Sequence, residues 1–205
     1  MTLQDKLDAF KADFVAGKPP YNVPAPVIAT MQRATDELIA SGAAARALKA
    51  GDRAPQFTLA DPDGKPVSSA ELLARGPLAV SFYRGVWCPY CNMELQALQE
   101  VLPQLQQAGA SLVAISPQLP ANSRKAMRQN GLEFSILSDA GNEVAAAFGL
   151  RFTLPDYLVE LYRSLKNELP AFNGDASWTL PMPARYVIAP DGVIVYAEVN
   201  PDYTR

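Results

Sequence analysis

Hydrophobic positions along the chain follow two regimes that meet near Gly51. In the first fifty residues they recur at helical spacing. Leu3, Leu7, Phe10 and Phe14 form one stripe, and Val27, Met31, Ala34 and Leu38 form a second. Thr2 and Asp5 stand where a capping box would open the first helix. The Pro-rich stretch from Lys18 to Pro26 separates the two stripes. Residues 1–50 therefore read as an N-terminal helical extension, a helical hairpin packed on the main domain or on a partner subunit.

From Gly51 onward short apolar runs alternate with amphipathic segments. Phe57–Ala60 predicts a strand closed by the turn Asp61-Pro62-Asp63-Gly64, and Ser68–Arg75 predicts a short helix stopped by Gly76-Pro77. Leu78–Tyr83 is an apolar run of strand length, as expected of a strand covered on both faces. Residues 88–108 predict a helix with Leu95, Leu98, Val101 and Leu105 facing inward and a bend at Pro103. Leu112–Ile115 and Ser135–Leu137 predict two further strands around a polar helix over 121–130. A helix beginning at Asp139 or Asn142 then runs through Phe148. Arg185–Ile188 and Val193–Val199 flank Pro190-Asp191-Gly192, a strong hairpin pattern. Helices placed between buried strands imply right-handed crossovers and a central sheet covered on both faces, so residues 51–205 predict one α/β domain. Residues 151–181 break the rhythm. A helix over Asp156–Leu165 leads into an irregular loop over Leu169–Asp175, and the whole reads as an insertion, either a functional loop or a packing flap.

Composition narrows the function. Apolar residues make up 49% of the 205 and charged ones 19%, as in a folded domain with its own core. The net charge is −3 and the basic residues are scattered, which excludes nucleic acid or an anionic membrane as the main partner. The N-terminal residues lack the apolar core of a signal peptide and no window has the length of a membrane span, so the cytoplasm is the expected location. There is no histidine, which removes Ser–His and Cys–His catalytic pairs and the commonest transition-metal ligand. No cofactor is expected.

The two cysteines, Cys88 and Cys91, close the segment Arg84-Gly85-Val86-Trp87-Cys88-Pro89-Tyr90-Cys91 between a predicted strand and a predicted helix. First-turn amides of a helix have no intrahelical partner and, with the helix dipole, favour an anion there. A thiolate at that place is stabilised, and a second thiol one turn away can resolve its oxidation. Pro89 gives up an amide hydrogen that would be unpaired anyway. Arg84 adds positive charge with no proton equilibrium of its own. Trp87 reads as a packing residue whose fluorescence should report oxidation. The alternatives are structural zinc, for which two cysteines and no histidine are too few ligands, and a pair of inert buried thiols.

The segment Phe82-Tyr83-Arg84-Gly85-Val86-Trp87-Cys88-Pro89-Tyr90-Cys91-Asn92 resembles the signature of the peroxiredoxin-like branch of the alkyl hydroperoxide reductase/thiol-specific antioxidant family. The similarity runs from about Gly51 to Arg205. It includes Gly51-Asp52-Arg53-Ala54-Pro55-Gln56-Phe57-Thr58-Leu59, Leu137-Ser138-Asp139, Ala171-Phe172-Asn173-Gly174-Asp175 and Asn200-Pro201-Asp202-Tyr203. The resemblance implies a thioredoxin-like α/β/α sandwich and an antioxidant thiol peroxidase. It also has departures. With Cys91 in the place of the family's peroxide-attacking Cys, Arg84 and Cys88 occupy the places of its Pro and Thr. Pro183 stands where the family supplies an Arg on a later strand, and Met182-Pro183 resembles the cis-proline element that faces the CxxC in thioredoxins. Arg185 is close enough in sequence to replace the missing Arg.

Two assignments of roles follow from the resemblance. On thioredoxin logic Cys88 attacks and Cys91 resolves. On peroxiredoxin logic Cys91 is oxidised by the peroxide and Cys88 captures the sulfenic acid. Either cycle ends with reduction by thioredoxin, glutaredoxin or a small thiol. The first expectation is a peroxide reductase, the second a protein disulfide oxidoreductase, and the third a redox-responsive interaction protein working through its N-terminal helices. The apolar helical pair also suggests a homodimer. The sequence stops after the exit from its last strand, where the fold usually adds a covering helix. The N-terminal segment, a neighbouring subunit or a missing continuation would each account for that face.

Overall fold

The computed structural model describes residues 1–205. Its strands, in chain order, are β1 (Thr58–Ala60), β2 (Pro66–Ser68), β3 (Leu78–Phe82), β4 (Ser111–Ser116), β5 (Ser135–Ser138), β6 (Arg151–Thr153), β7 (Thr179–Pro181), β8 (Ala184–Ile188) and β9 (Ile194–Val199). Its helices are α1 (Leu3–Val15), α2 (Ala25–Ala40), α3 (Ser69–Leu73), α4 (Pro89–Gln107), α5 (Pro120–Asn130), α6 (Glu143–Ala147), α7 (Asp156–Ser164) and α8 (Leu169–Asn173).

Seven strands form one sheet in the order β2-β1-β5-β4-β3-β8-β9. The three central strands β3, β4 and β5 are parallel, joined by α4 and α5, while β8 and β9 return antiparallel on one side and β1 and β2 on the other. Period-two alternation divides β3 cleanly. Leu78, Val80 and Phe82 face one core with Phe148 and Tyr186, whose rings lie 5.0 Å apart. Beyond the end of β3, Tyr83 joins the opposite core with Leu95, Ala114 and Ile136 under α4 and α5. Each fully buried Leu or Ile in these layers contributes roughly 1.5–3 kcal/mol. Pro103 sits inside α4 and the helix still continues to Gln107.

The face opposite α4 is covered by α3, α6 and the segment that follows α2. Ala43 and Ala47 are buried there, with Leu38, Ala44 and Leu48 packed at their sides. A left-handed Gly149 (φ +74) lets that segment approach closely, because a Cβ at 149 would lie 2.6 Å from the Arg46 carbonyl oxygen. The Thr2–Asp5 capping box forms at the start of α1.

Several expectations need correction. The first two helices are not a hairpin: α1 packs on α4, whereas α2 packs on α7. The stretch after α7 is not an irregular loop, since Pro170 at the first turn and left-handed Gly174 at the cap enclose the short helix α8. Residues 151–181 also contain the antiparallel ribbon β6–β7, pairing Arg151 with Pro181. Three residues each were too short to show a period. Of the two starts expected for the next helix, Asn142 holds and Asp139 does not: a 3-10 turn, Ala140–Asn142, precedes α6, which Asn142 caps at its start and Phe148 at its end. The buried Asp139 carboxylate accepts the Val144 and Ala145 amide hydrogens at 3.0 and 2.9 Å, which holds that junction.

Met182-Pro183 is also trans: the one cis peptide is Pro19-Pro20. The chain passes through Met182 and Pro183 in extended form. The Met182 amide donates to the Leu150 carbonyl at 2.9 Å, and two residues later Ala184 is already paired with Phe82. An extended span of this kind uses the longer Cα–Cα step of a trans bond.

Candidate active site

The chain leaves β3 as Tyr83-Arg84-Gly85-Val86-Trp87 and enters α4 with Cys88 as its N-cap and Pro89 as its first residue. This link is held by side chains as well as by its own backbone. The Val86 amide donates to Gln118 Oε1 at 2.9 Å, and Gln118 Nε2 donates to the Tyr83 hydroxyl at 2.5 Å. From the helix side, Asn92 Nδ2 donates to the Val86 carbonyl at 2.8 Å. Gly85 is required where it stands. Its φ is +151°, and a Cβ there would come within 2.5 Å of the Trp87 indole nitrogen.

Both thiols are free and buried, Cys88 at 1% exposure and Cys91 at 2%. Burial alone would push the Cys88 thiol up. A hydrogen bond from Cys91, the Arg84 guanidinium and the amides of Cys91 and Tyr90 outweigh it and bring Cys88 down to about 7. Cys91 moves the other way. Burial, the hydrogen bond it gives to Cys88 and the charge on Cys88 hold it well above the ordinary thiol range. The pair is therefore partly ionised near neutrality, with the charge favoured on Cys88 and Cys91 as its hydrogen-bond donor. No third His, Cys, Asp or Glu joins the sulfurs in a cluster suited to a metal ion.

Arg84 sits behind this pair, 4% exposed. Its guanidinium donates to the Tyr162 hydroxyl at 2.5 Å and lies 3.9 Å from the Tyr203 ring centroid and 4.8 Å from that of Trp87. It forms no salt bridge with any carboxylate. A buried cation without a carboxylate raises the charge felt by a nearby thiolate, and the two tyrosine-bearing segments keep it in place. Tyr90, between the cysteines, packs edge-on against Phe10 of α1 at 4.9 Å and against Tyr203 at 5.7 Å.

The AhpC/TSA family model matches residues 50–197, which spans the sheet, this strand-to-helix link and both cysteines. The chain belongs to the AhpC/TSA family. Peroxiredoxin Q, chloroplastic, of Oryza sativa subsp. japonica is 31% identical over 150 residues, 73% of this chain and 58% of that protein. Peroxiredoxin Bcp of Escherichia coli (strain K12) is 33% identical over 103 residues, 50% of this chain and 65% of that protein. The chain spans less than two thirds of the length of either curated relative. Among solved structures, peroxidoxin BcpB from Mycobacterium tuberculosis has a TM-score of 0.61 at 24% identity, covering 77% of this chain and 91% of that one. A mutant PrxQ of Xylella fastidiosa has a TM-score of 0.59 at 17% identity, covering 74% and 86%. The likeness places this AhpC/TSA chain in the thioredoxin-like fold of the peroxiredoxins.

Within this AhpC/TSA fold the residues singled out in the sequence do not all converge. Cys88, Cys91, Arg84 and Trp87 come together at the start of α4. Trp87 meets Tyr162 edge-on at 5.8 Å and leaves its buried indole nitrogen without a partner. Pro183 lines a cleft beside Arg84 and Tyr203. Arg185 is engaged elsewhere, its guanidinium 2.9 Å from Glu198 and 3.6 Å from Glu94. Arg84 is the cation beside the thiols. Gln118, Tyr162 and Tyr203 are the site residues that sequence reasoning did not assign. Tyr162 lies in the 151–181 insertion and Gln118 just past the end of β4, where a buried glutamine after an apolar stretch was the available signal.

Proposed function

We propose that the chain is a thiol-dependent peroxide reductase in which Cys88 attacks and Cys91 resolves. The observation that carries this reading is the place of Cys88 as the N-cap of α4, where the first-turn amides of Tyr90 and Cys91 and the Arg84 guanidinium favour its thiolate, while Cys91 lies one turn inside the helix and burial pushes its thiol up. The Cys88 thiolate attacks the terminal oxygen of a hydroperoxide. The O–O bond breaks, the hydroxyl stays on the sulfur, and the alkoxide takes a proton from solvent and leaves as the alcohol. The resulting Cys88 sulfenic acid then meets the Cys91 thiol. The S–S bond forms and water departs with the sulfenic oxygen. Two electrons from thioredoxin, glutaredoxin or a small thiol restore the dithiol, a cycle suited to the reducing pool of the cytoplasm. Family membership and the names of the relatives, which are peroxiredoxins, support peroxide reduction; the order of the cysteines proposed here reverses the one the family resemblance implies, in which Cys91 attacks.

Burial favours peroxide over a protein disulfide as oxidant. With 1% and 2% of their surfaces exposed, the sulfurs admit a molecule near the size of water more readily than a folded partner. Reduction by a protein partner then follows local opening of the first turn of α4. The test is a stopped-flow reaction of pre-reduced protein with one equivalent of hydrogen peroxide, beside a parallel reaction with oxidised dithiothreitol. The reading predicts loss of both thiols together, with peroxide much the faster oxidant. Comparable rates would replace it with disulfide exchange.

A further inference from the structure

A cleft of about 720 Å³ opens between α2 and the segment that carries β6 and α7. Buried Arg84, Tyr162 and Tyr203 line its inner end, and the same Arg84 guanidinium acts on Cys88. One wall is apolar residues of α2, namely Met31, Ala34 and Leu38, and the other is Leu154 and Leu158. Exposed Arg46 and Arg151 stand at its rim; Arg151 is paired with Glu143 at 2.6 Å, and Arg46 is the rim cation with no carboxylate partner. The one carboxylate that does line it, Glu37, is already taken up by Arg33 and Tyr157. An apolar slot with positive charge at both its inner end and its rim, in a chain of net charge −3, is complementary to an amphipathic anion.

A second observation points to a ligand at the inner end. Arg84 is only 4% exposed, yet its Nε has no hydrogen-bond partner and no carboxylate neutralises it. A guanidinium presents five donors in a fork that matches a carboxylate, and this one uses only its bond to Tyr162. We propose that the cleft is a binding site for amphipathic monocarboxylates. The hydrocarbon lies between α2 and the 154–158 wall, and the headgroup pairs with Arg84 in competition with the Cys88 thiolate. Occupancy would draw the guanidinium charge away from Cys88 and return that thiol toward its protonated, unreactive form. The site would act as a brake on the thiol pair set by free medium-chain carboxylate. This holds whether the oxidant is a peroxide or a disulfide, so it stands or falls apart from the peroxidase reading.

The experiment uses the full reduced chain and decanoate as the probe, with acetate as the headgroup alone. Binding is followed by calorimetry, and Cys88 ionisation by the ultraviolet absorbance of the thiolate across the neutral pH range. The groups facing that thiol are Arg84, Tyr90, Cys91, Tyr162 and Tyr203; the tyrosines are held above their usual range by burial, and Cys91 well above by its own surroundings, so Cys88 titrates first in that window. Decanoate should bind one to one and move the Cys88 midpoint up by about one unit, a roughly fivefold loss of thiolate at pH 7. Acetate at the same concentration should do neither, and Ala34→Trp, which fills the slot, should lose decanoate binding. Three results would each overturn the proposal: absence of binding up to millimolar decanoate, binding that leaves the Cys88 midpoint in place, or acetate matching decanoate. All three are read on the unmodified protein, so they hold even if Ala34→Trp does not fold.

Discussion

Replacing Arg84 with methionine isolates the one charge on which the reactivity of Cys88 depends. Methionine reproduces the arginine stem to about the Nε position with a flexible apolar chain, and gives up only the guanidinium group that lies over the Trp87 and Tyr203 rings. The guanidinium is lost. In the native protein Cys88 sits at about 7, so close to half of it is thiolate at pH 7. Without Arg84 the burial that opposes ionisation is met only by the Cys91 hydrogen bond and two amides. The midpoint should then reach or exceed the ordinary thiol value of about 8.5, which leaves about 3% thiolate at pH 7. The rate of oxidation at pH 7 should fall roughly fifteenfold, in proportion to the thiolate lost, and recover near pH 9.5. Stability should change by only about 1–2 kcal/mol, because removing a buried cation also removes its desolvation cost. The assay is a pH series of single-turnover oxidation rates with thiolate absorbance measured in parallel. A midpoint that stays within about half a unit of 7 in the variant would refute the role given to Arg84.

Three further outcomes follow from the same contacts. Gln118→Ala leaves the buried Val86 amide and the Tyr83 hydroxyl without their partner, and should cost about 1–3 kcal/mol in urea denaturation while slowing Cys88 oxidation. Gly149→Ala forces a Cβ against the Arg46 carbonyl at a positive φ and should cost about 1–3 kcal/mol; hydrogen exchange should quicken at the Leu48 amide, which bonds the Phe148 carbonyl. The stability of the reduced protein should peak in mildly alkaline solution. Cys88 is depressed in the fold, so its contribution is complete above the unfolded value near 8.5 and is lost as the pH falls through 7. Cys91 is raised, so its contribution is complete below that value and is lost as the pH climbs past it. Urea midpoints should therefore rise between pH 7 and about 8.5, by at most ~2 kcal/mol, and then decline; the disulfide form should show neither slope.

The parts of this fold that were legible in the sequence are those where one interaction sets the pattern. Leu78–Phe82 is buried on both faces and reads as a strand from its apolar run alone. The CxxC was placed at a helix entry because Pro89 and the apolar stripe of α4 agree on where that helix begins. What escaped had its cause far along the chain. The β6–β7 ribbon is three residues on each side and depends on partners about thirty positions apart. The chain on either side of Pro183 is placed by the Met182 bond to Leu150 and the pairing of Ala184 with Phe82, neither partner a sequence neighbour. The anchoring of Arg84 by Tyr162 joins residues 78 positions apart, and no local pattern shows it. Arg185 was a candidate by proximity to Pro183, but its register on β8 sets it beside Glu198 of β9. The order of the two cysteines was open for a similar reason, since what separates the sulfurs is the hydrogen bond Cys91 gives to Cys88 and the set of amides around each, with Arg84 acting on both.

That order is the central claim, and it can be read directly on a single variant. Cys91→Ser removes the resolving thiol, so a sulfenic acid formed by one equivalent of hydrogen peroxide persists long enough to be trapped with dimedone and located by mass spectrometry. The account predicts the adduct on Cys88, with Cys88→Ser protein yielding far less adduct on Cys91. Rapid, stoichiometric labelling of Cys91 in the Cys88→Ser variant, with little on Cys88 in its counterpart, would contradict the account and make Cys91 the attacking residue.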